Sequence, residues 1–195
     1  MAHVIAVAGK GGVGKTTLCG LLIQQLCREK KGPVLAVDAD ANSNLNEVLG
    51  VEVDATLGDI REEIARSEMA KDSPIPASMS KADYAEFKFN SAIIEDDDFD
   101  MLVMGRTQGK GCYCFVNGLL ETQLRRLETH YPYMVVDNEA GMEHISRGIL
   151  PSMETAILVS DCSRRGVQAA GRIAELIREL SLIHISEPTR LGMIS

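Results

Sequence analysis

Gly9-Lys10-Gly11-Gly12-Val13-Gly14-Lys15-Thr16-Thr17 follows an apolar run, residues 3–8, and leads straight into a helical pattern over residues 15–30. The spacing is G-x-x-x-x-G-K-[ST], and its place between a strand and a helix gives the match its weight. Glycines at 9, 11, 12 and 14 let the backbone curl so that successive N–H groups point inward, where side chains would obstruct an anion. The amino end of the following helix adds its dipole to the same anion. Lys15 supplies a point charge to the β- and γ-phosphates of a nucleotide, and the Thr16 hydroxyl is placed to ligate Mg²⁺. The alternative is a glycine-rich turn that holds no nucleotide. Residues Gly9 to Thr17 are thus the expected contacts for ATP or ADP with Mg²⁺.

Outward from this loop, apolar runs alternate with amphipathic ones, which predicts an α/β fold: a mostly parallel sheet with helices on both faces. On the first helix Cys19, Leu22, Ile23, Leu26 and Cys27 fall at helical spacing, so both cysteines are read as packing residues. Further strands are predicted at 34–38, 101–104, 134–137 and 156–160, and further helices at 57–66, 81–87, 116–129 and 166–180. The acidic run Glu95, Asp96, Asp97, Asp98 and Asp100 reads as a solvated face. At 195 residues and 45% hydrophobic, the chain can bury a core of its own, and one domain over residues 1–180 is expected. A formal charge of -8 argues against nucleic acid or an anionic membrane as partner. No apolar run is long enough to span a bilayer, the amino terminus reads as a strand and not a leader, and five cysteines show no disulfide framework; a cytoplasmic location is expected.

Two acidic segments belong with the loop. Asp38-Ala39-Asp40-Ala41-Asn42-Ser43-Asn44 sits at the carboxyl end of the second predicted strand, where ligands sit in open α/β sheets. An Asx-rich turn capping the next helix is the competing reading. Val135-Val136-Asp137 is an apolar strand ending in a carboxylate, suited to hold a magnesium hydration shell. Gly141 follows it and would let the backbone move when the γ-phosphate leaves.

Lys10, a second lysine inside the loop, resembles the deviant Walker A signature of the MinD, ParA and nitrogenase iron protein family of P-loop ATPases. The resemblance implies that Lys10 reaches across a homodimer interface to the partner's phosphates, so that Lys10, Lys15 and Asp40 are the catalytic set. It also implies that Asp40 orients the attacking water and that Asp38 lies near the magnesium through water, with Thr16 and Asp137 as the other magnesium residues. One charge placed on developing negative charge is worth roughly 10³-fold or more in rate. Many relatives carry proline where this chain has Ala41.

Gly105 to Cys114 reads GRTQGKGCYC. Two cysteines one residue apart are too close for an ordinary disulfide. Two thiolates supply half of a tetrahedral set, and a two-fold dimer would supply the rest for Zn²⁺ or Ni²⁺. On spacing alone, two ordinary loop cysteines fit as well. The segment MGRTQGKGCYC, with DNEAGMEHISRG at Asp137 to Gly148, is similar to the CooC and AcsF group of accessory ATPases for carbon monoxide dehydrogenase and acetyl-CoA synthase. That resemblance implies metal ligation by Cys112 and Cys114 at a dimer interface, with ATP turnover tied to nickel delivery to one of those enzymes. Cys162 and His144 are read as structural and not as ligands. Two other readings stand beside this one: an iron–sulfur electron-transfer ATPase and a MinD/ParA-type positioning ATPase. The last residues, 181–195, resemble the in-frame translation of a sequencing adapter. They are expected to be non-native, with the part of the fold that contacts adenine missing.

Overall fold

A computed structural model describes residues 2–40, 42–67, 74–76, 78–106, 122–138 and 153–179. Its centre is a six-stranded sheet in the order β3-β4-β2-β5-β1-β6. The strands are β1 (His3–Gly9), β2 (Val34–Ala39), β3 (Ile94–Glu95), β4 (Phe99–Val103), β5 (Tyr133–Asn138) and β6 (Thr155–Val159). All neighbours run parallel except the short β3, which pairs antiparallel with β4 at one edge. The helices are α1 (Lys15–Arg28), α2 (Leu45–Leu49), α3 (Leu57–Ser67), α4 (Lys81–Ser91) and α5 (Arg164–Glu179). Residues 122–127 are also helical.

Successive side chains on a strand point to opposite faces, so each strand divides its residues between two cores. Val4, Ala6, Ala8, Leu35, Val37, Met134 and Val136 pack on one face with Leu57, Ile60 and Ile64 of α3, Phe89 of α4 and Ile173 and Ile177 of α5. Val7, Val34, Ala36, Met101, Val103 and Val135 pack on the other with Cys19 and Ile23 of α1 and Leu45 of α2. Burial on both faces is why the strands read as continuous apolar runs and not as alternating ones. The mostly parallel sheet with helices on both faces is as expected from the sequence.

Element ends differ from expectation by at most four residues. The main differences are two extra elements, α2 and β3. The acidic turn does face solvent: Glu95, Asp96, Asp97 and Asp98 are exposed, and the Asp96 amide donates to the Phe99 carbonyl to close the β3–β4 hairpin. Asp100 departs from the solvated-face reading, because its carboxylate accepts a hydrogen bond from the Tyr131 hydroxyl. The predicted helix at 116–129 is described only from residue 122, and the tail at 181–195 lies outside the described residues.

The start of α3 is pressed against the exit of β4. The Gly58 amide donates to the Met104 carbonyl at 2.9 Å, and a β-carbon on Gly58 would stand 2.4 Å from the Arg106 carbonyl oxygen. Backbone cannot yield as a flexible side chain would. Gly58→Ala should therefore lower unfolding free energy by about 1–3 kcal/mol, read from the urea midpoint.

Candidate nucleotide site

The phosphate loop is pinned at its first residue. Gly9 pairs with Val159 of β6, and a β-carbon there would lie 2.1 Å from the Val159 carbonyl oxygen, so only glycine lets the two strands approach. Gly14 ends the loop in the left-handed region, φ 90°, and starts α1 without any side-chain cap. No acidic residue occupies the first turn of α1, so its amides and dipole are left for an external anion. Lys15 is buried, at 7% exposure, and its Nζ donates to the Lys10 carbonyl at 3.5 Å. The Lys10 side chain is exposed.

Beneath the loop the strand register sets Asp38 of β2 directly beside Asp137 of β5. Both lie on the α1 face of the sheet, and both are enclosed, at 0% and 1% exposure. Burial raises the Asp38 carboxyl from the usual 3.8 to about 6, against two amide donors that pull it down and with the charges of Asp137 and Asp40 adding to the rise. Burial also raises Asp137, while Thr16 and Cys19 hydrogen bonds and the Lys15 charge oppose it. Asp137 Oδ1 has no hydrogen-bond partner among the described residues. An enclosed acceptor left open beside Thr16 and Lys15 fits the water shell of a divalent cation. Asp38 and Asp137, two of the residues expected for Mg²⁺, thus stand side by side here.

A family model described as an AAA domain matches residues 2–187. The chain belongs to that family. An uncharacterised ATP-binding protein of Methanocaldococcus jannaschii is 46% identical over 92% of this chain and 70% of its own length. The carbon monoxide dehydrogenase accessory protein CooC of Rhodospirillum rubrum is 31% identical over 97% of this chain and 77% of its own. Among solved structures, the septum site-determining protein MinD of Pyrococcus horikoshii, complexed with Mg-ADP, superposes with a TM-score of 0.64 at 25% identity, over 94% of this chain and 68% of that one. The fold is that of the MinD/ParA-like P-loop ATPases, and ATP or ADP with Mg²⁺ are the ligands supported by these relatives.

In this AAA-domain protein Asp38 is also a brace. Its Oδ1 accepts from the Asp40 amide and its Oδ2 from the Leu45 amide, both at 3.0 Å, so its carboxylate caps α2 in place of Asn44. Asp40 forms the Asx turn weighed in the sequence, accepting from the Asn42 amide at 2.9 Å. Its carboxylate is half-buried at the rim of the site.

Three neighbours escaped the sequence reading. Cys19 is buried in the cluster that holds Val135, two residues before Asp137. Asn138 is buried and donates to the Val7 carbonyl at 3.2 Å. Asp161 is held below the usual carboxylate range by the Ser163 hydroxyl and amide, with the Lys10 charge adding to the effect. A three-residue step from Thr16 was the available signal for Cys19; nothing local marked the other two.

Cys27 is half-buried and its thiol donates to the Asp98 carbonyl at 3.4 Å. It lines a groove of about 430 Å³ with Phe99 and Val48, at the end of the sheet away from the phosphate loop. Cys162 is exposed, not packed. Cys112, Cys114, Gly141, His144 and Ala41 lie outside the described residues. No group of three or more metal-ligating side chains occurs among the described residues. No helix there is long and apolar enough to cross a membrane.

Asp38 makes a pH prediction for the nucleotide-free protein. A carboxyl raised in the fold favours the protonated state, so its contribution is complete below the unfolded value near 3.8 and is lost as pH rises through about 6. The difference in unfolding free energy, wild type minus Asp38→Asn, should fall by about 2–3 kcal/mol between pH 4 and pH 7. Urea titrations at several pH values would measure it, and a difference independent of pH would remove the assignment.

Proposed function

We propose that this protein is an ATP-hydrolysing metallochaperone in which nucleotide-dependent dimerisation drives nickel delivery for carbon monoxide dehydrogenase or acetyl-CoA synthase maturation. The observation that carries the nucleotide half is the convergence of Lys15, Thr16 and Asp137 beneath a phosphate loop whose amides are uncapped. In this reading main-chain amides from Gly9 to Thr17 hold the phosphates. Thr16 and Asp137 would hold Mg²⁺ and its waters, which would supply positive charge to the transferred phosphoryl group. Asp40 orients the attacking water. Lys10, exposed at the mouth of the loop, completes the charge from the partner subunit.

Support for the metal half comes from Cys112 and Cys114 and from the 31% identity to CooC over nearly the whole chain. Two such pairs facing each other across a two-fold axis supply four thiolates, a set that suits Zn²⁺ and takes Ni²⁺ as cargo. Cargo is then gripped in the ATP-bound dimer and released after hydrolysis. The likeness to MinD favours a second reading, a positioning ATPase. The net charge of -8 disfavours it, since anionic lipid and DNA would be repelled. Co-sedimentation with anionic liposomes or duplex DNA separates the two.

Lys10→Ala should leave nucleotide binding largely intact while turnover in the dimer falls by roughly 10³-fold. Phosphate release measured against protein concentration tests this, and unchanged turnover would exclude the trans role. The double variant Cys112→Ser, Cys114→Ser should lose stoichiometric Ni²⁺ or Zn²⁺ in equilibrium dialysis with ATP present. Full retention of metal would reject those ligands and leave the nucleotide half standing.

A further inference from the structure

The groove beside Cys27 has no part in the nucleotide site. Ile23 of α1, Leu49 of α2 and Phe99 of β4 give it an apolar floor, with Val48 also in its lining. α2 lies this close to α1 because Gly20 has no side chain; a β-carbon there would stand 2.4 Å from Val48 Cγ1. The opposite wall is the turn between β3 and β4, tied to α1 where the Cys27 thiol donates to the Asp98 carbonyl. A second hollow, of about 340 Å³, shares Cys27, Asp96, Asp98 and Phe99 with the first and adds Asp97. The two form one trough, apolar toward α2 and acidic toward the turn.

Both ends leave something uncovered. Val48 is 47% exposed, and Leu21, one turn before Gln24 of the groove, is 60% exposed. Apolar side chains beside an apolar groove gain from being covered. Asp96, Asp97 and Asp98 are exposed and form no ion pair among the described residues, either with Arg28 and Lys30 at the end of α1 or elsewhere. Nor do they converge as metal ligands would, since no group of three or more such side chains occurs among the described residues. Carboxylates spread along a turn suit the separate cationic side chains of a polypeptide. With Glu95 beside them they outnumber Arg28 and Lys30, and the net charge of -8 draws a cationic partner to the same surface.

We propose that this trough docks a partner protein through a segment that carries apolar side chains followed by lysine or arginine. The apolar part covers Val48 and fills the end floored by Ile23, Leu49 and Phe99, and the basic part lies along Asp96, Asp97 and Asp98. Apolar burial supplies affinity, and the acidic wall fixes the direction in which the segment lies. No residue lining the trough belongs to the phosphate loop, so nucleotide and partner can be held together.

The test uses the full chain and a fluorescein-labelled peptide with leucines at helical spacing followed by a run of lysines, read by fluorescence anisotropy at low and at physiological salt. Binding should be saturable. Asp96→Asn with Asp97→Asn and Asp98→Asn should weaken it roughly 5–30-fold and remove most of its salt dependence. Leu21→Gln with Val48→Gln should weaken it roughly 3–10-fold and leave the salt dependence in place. A peptide with glutamates in place of the lysines should bind at least about tenfold more weakly. All five side chains are exposed, so both variants should keep the wild-type urea midpoint. No saturable binding of the lysine peptide, equal binding of the glutamate peptide, or wild-type affinity in both variants would overturn the proposal. So would a wild-type oligomer that Leu21→Gln with Val48→Gln dissociates in sedimentation velocity, because a second copy of the chain would then be the occupant.

Discussion

Two carboxylates are held side by side in a buried part of the sheet, and one lysine stands near them. Asp38 and Asp137 are register partners on adjacent parallel strands, each at or below 1% exposure. Burying a charge is expensive unless it is paired and hydrogen-bonded. Asp38 receives two backbone amides, yet its carboxyl is still pushed up to about 6. Asp137 keeps an oxygen with no partner among the described residues. Without ligand the site therefore has a surplus of negative character that Lys15 only partly offsets and that a divalent cation would relieve.

The same surplus bears on the phosphate side. A nucleotide bound with Mg²⁺ is still anionic, and it enters beside two carboxylates. Loop amides and the dipole of α1 contribute partial charges, and Lys15 contributes one full charge. More positive charge is needed as the transferred group develops its own. Under the proposed function it comes from Lys10 of a second subunit, which makes association and turnover one event. An exposed lysine at the lip of the loop is free to serve a neighbour in a way that the buried Lys15 is not.

The parts of this arrangement that follow from local rules were legible in the sequence. Burial on both sheet faces gave β1, β2, β4 and β5 the appearance of apolar runs, and the glycine spacing located the loop. Elements fixed by partners distant in sequence were not legible. The short α2 is capped by Asp38, seven residues before it, and has no apolar stripe of its own. β3 is two residues long and exists because Asp96 closes a hairpin on Phe99. Asp100 was read with its acidic neighbours, but Tyr131, 31 residues on, takes it out of the solvated set. Cys19 was correctly read as a core residue.

Asp38 also connects the nucleotide site to the root of the cysteine-bearing segment. Its carbonyl accepts from the Met104 amide at 2.8 Å, just past the end of β4, while its carboxylate holds the Asp40 and Leu45 amides. Met104 in turn accepts from Gly58, so the start of α3 and the exit of β4 are fastened to the same residue that answers to charge beside Asp137. The chain leaves β4 through Arg106, and Cys112 and Cys114 come six and eight residues later. A shared residue supplies a route for coupling, but coupling itself needs two arrangements that both sites bias. Among the described residues Asp38 is such a shared residue: its backbone fastens the exit of β4 while its carboxylate fastens the start of α2.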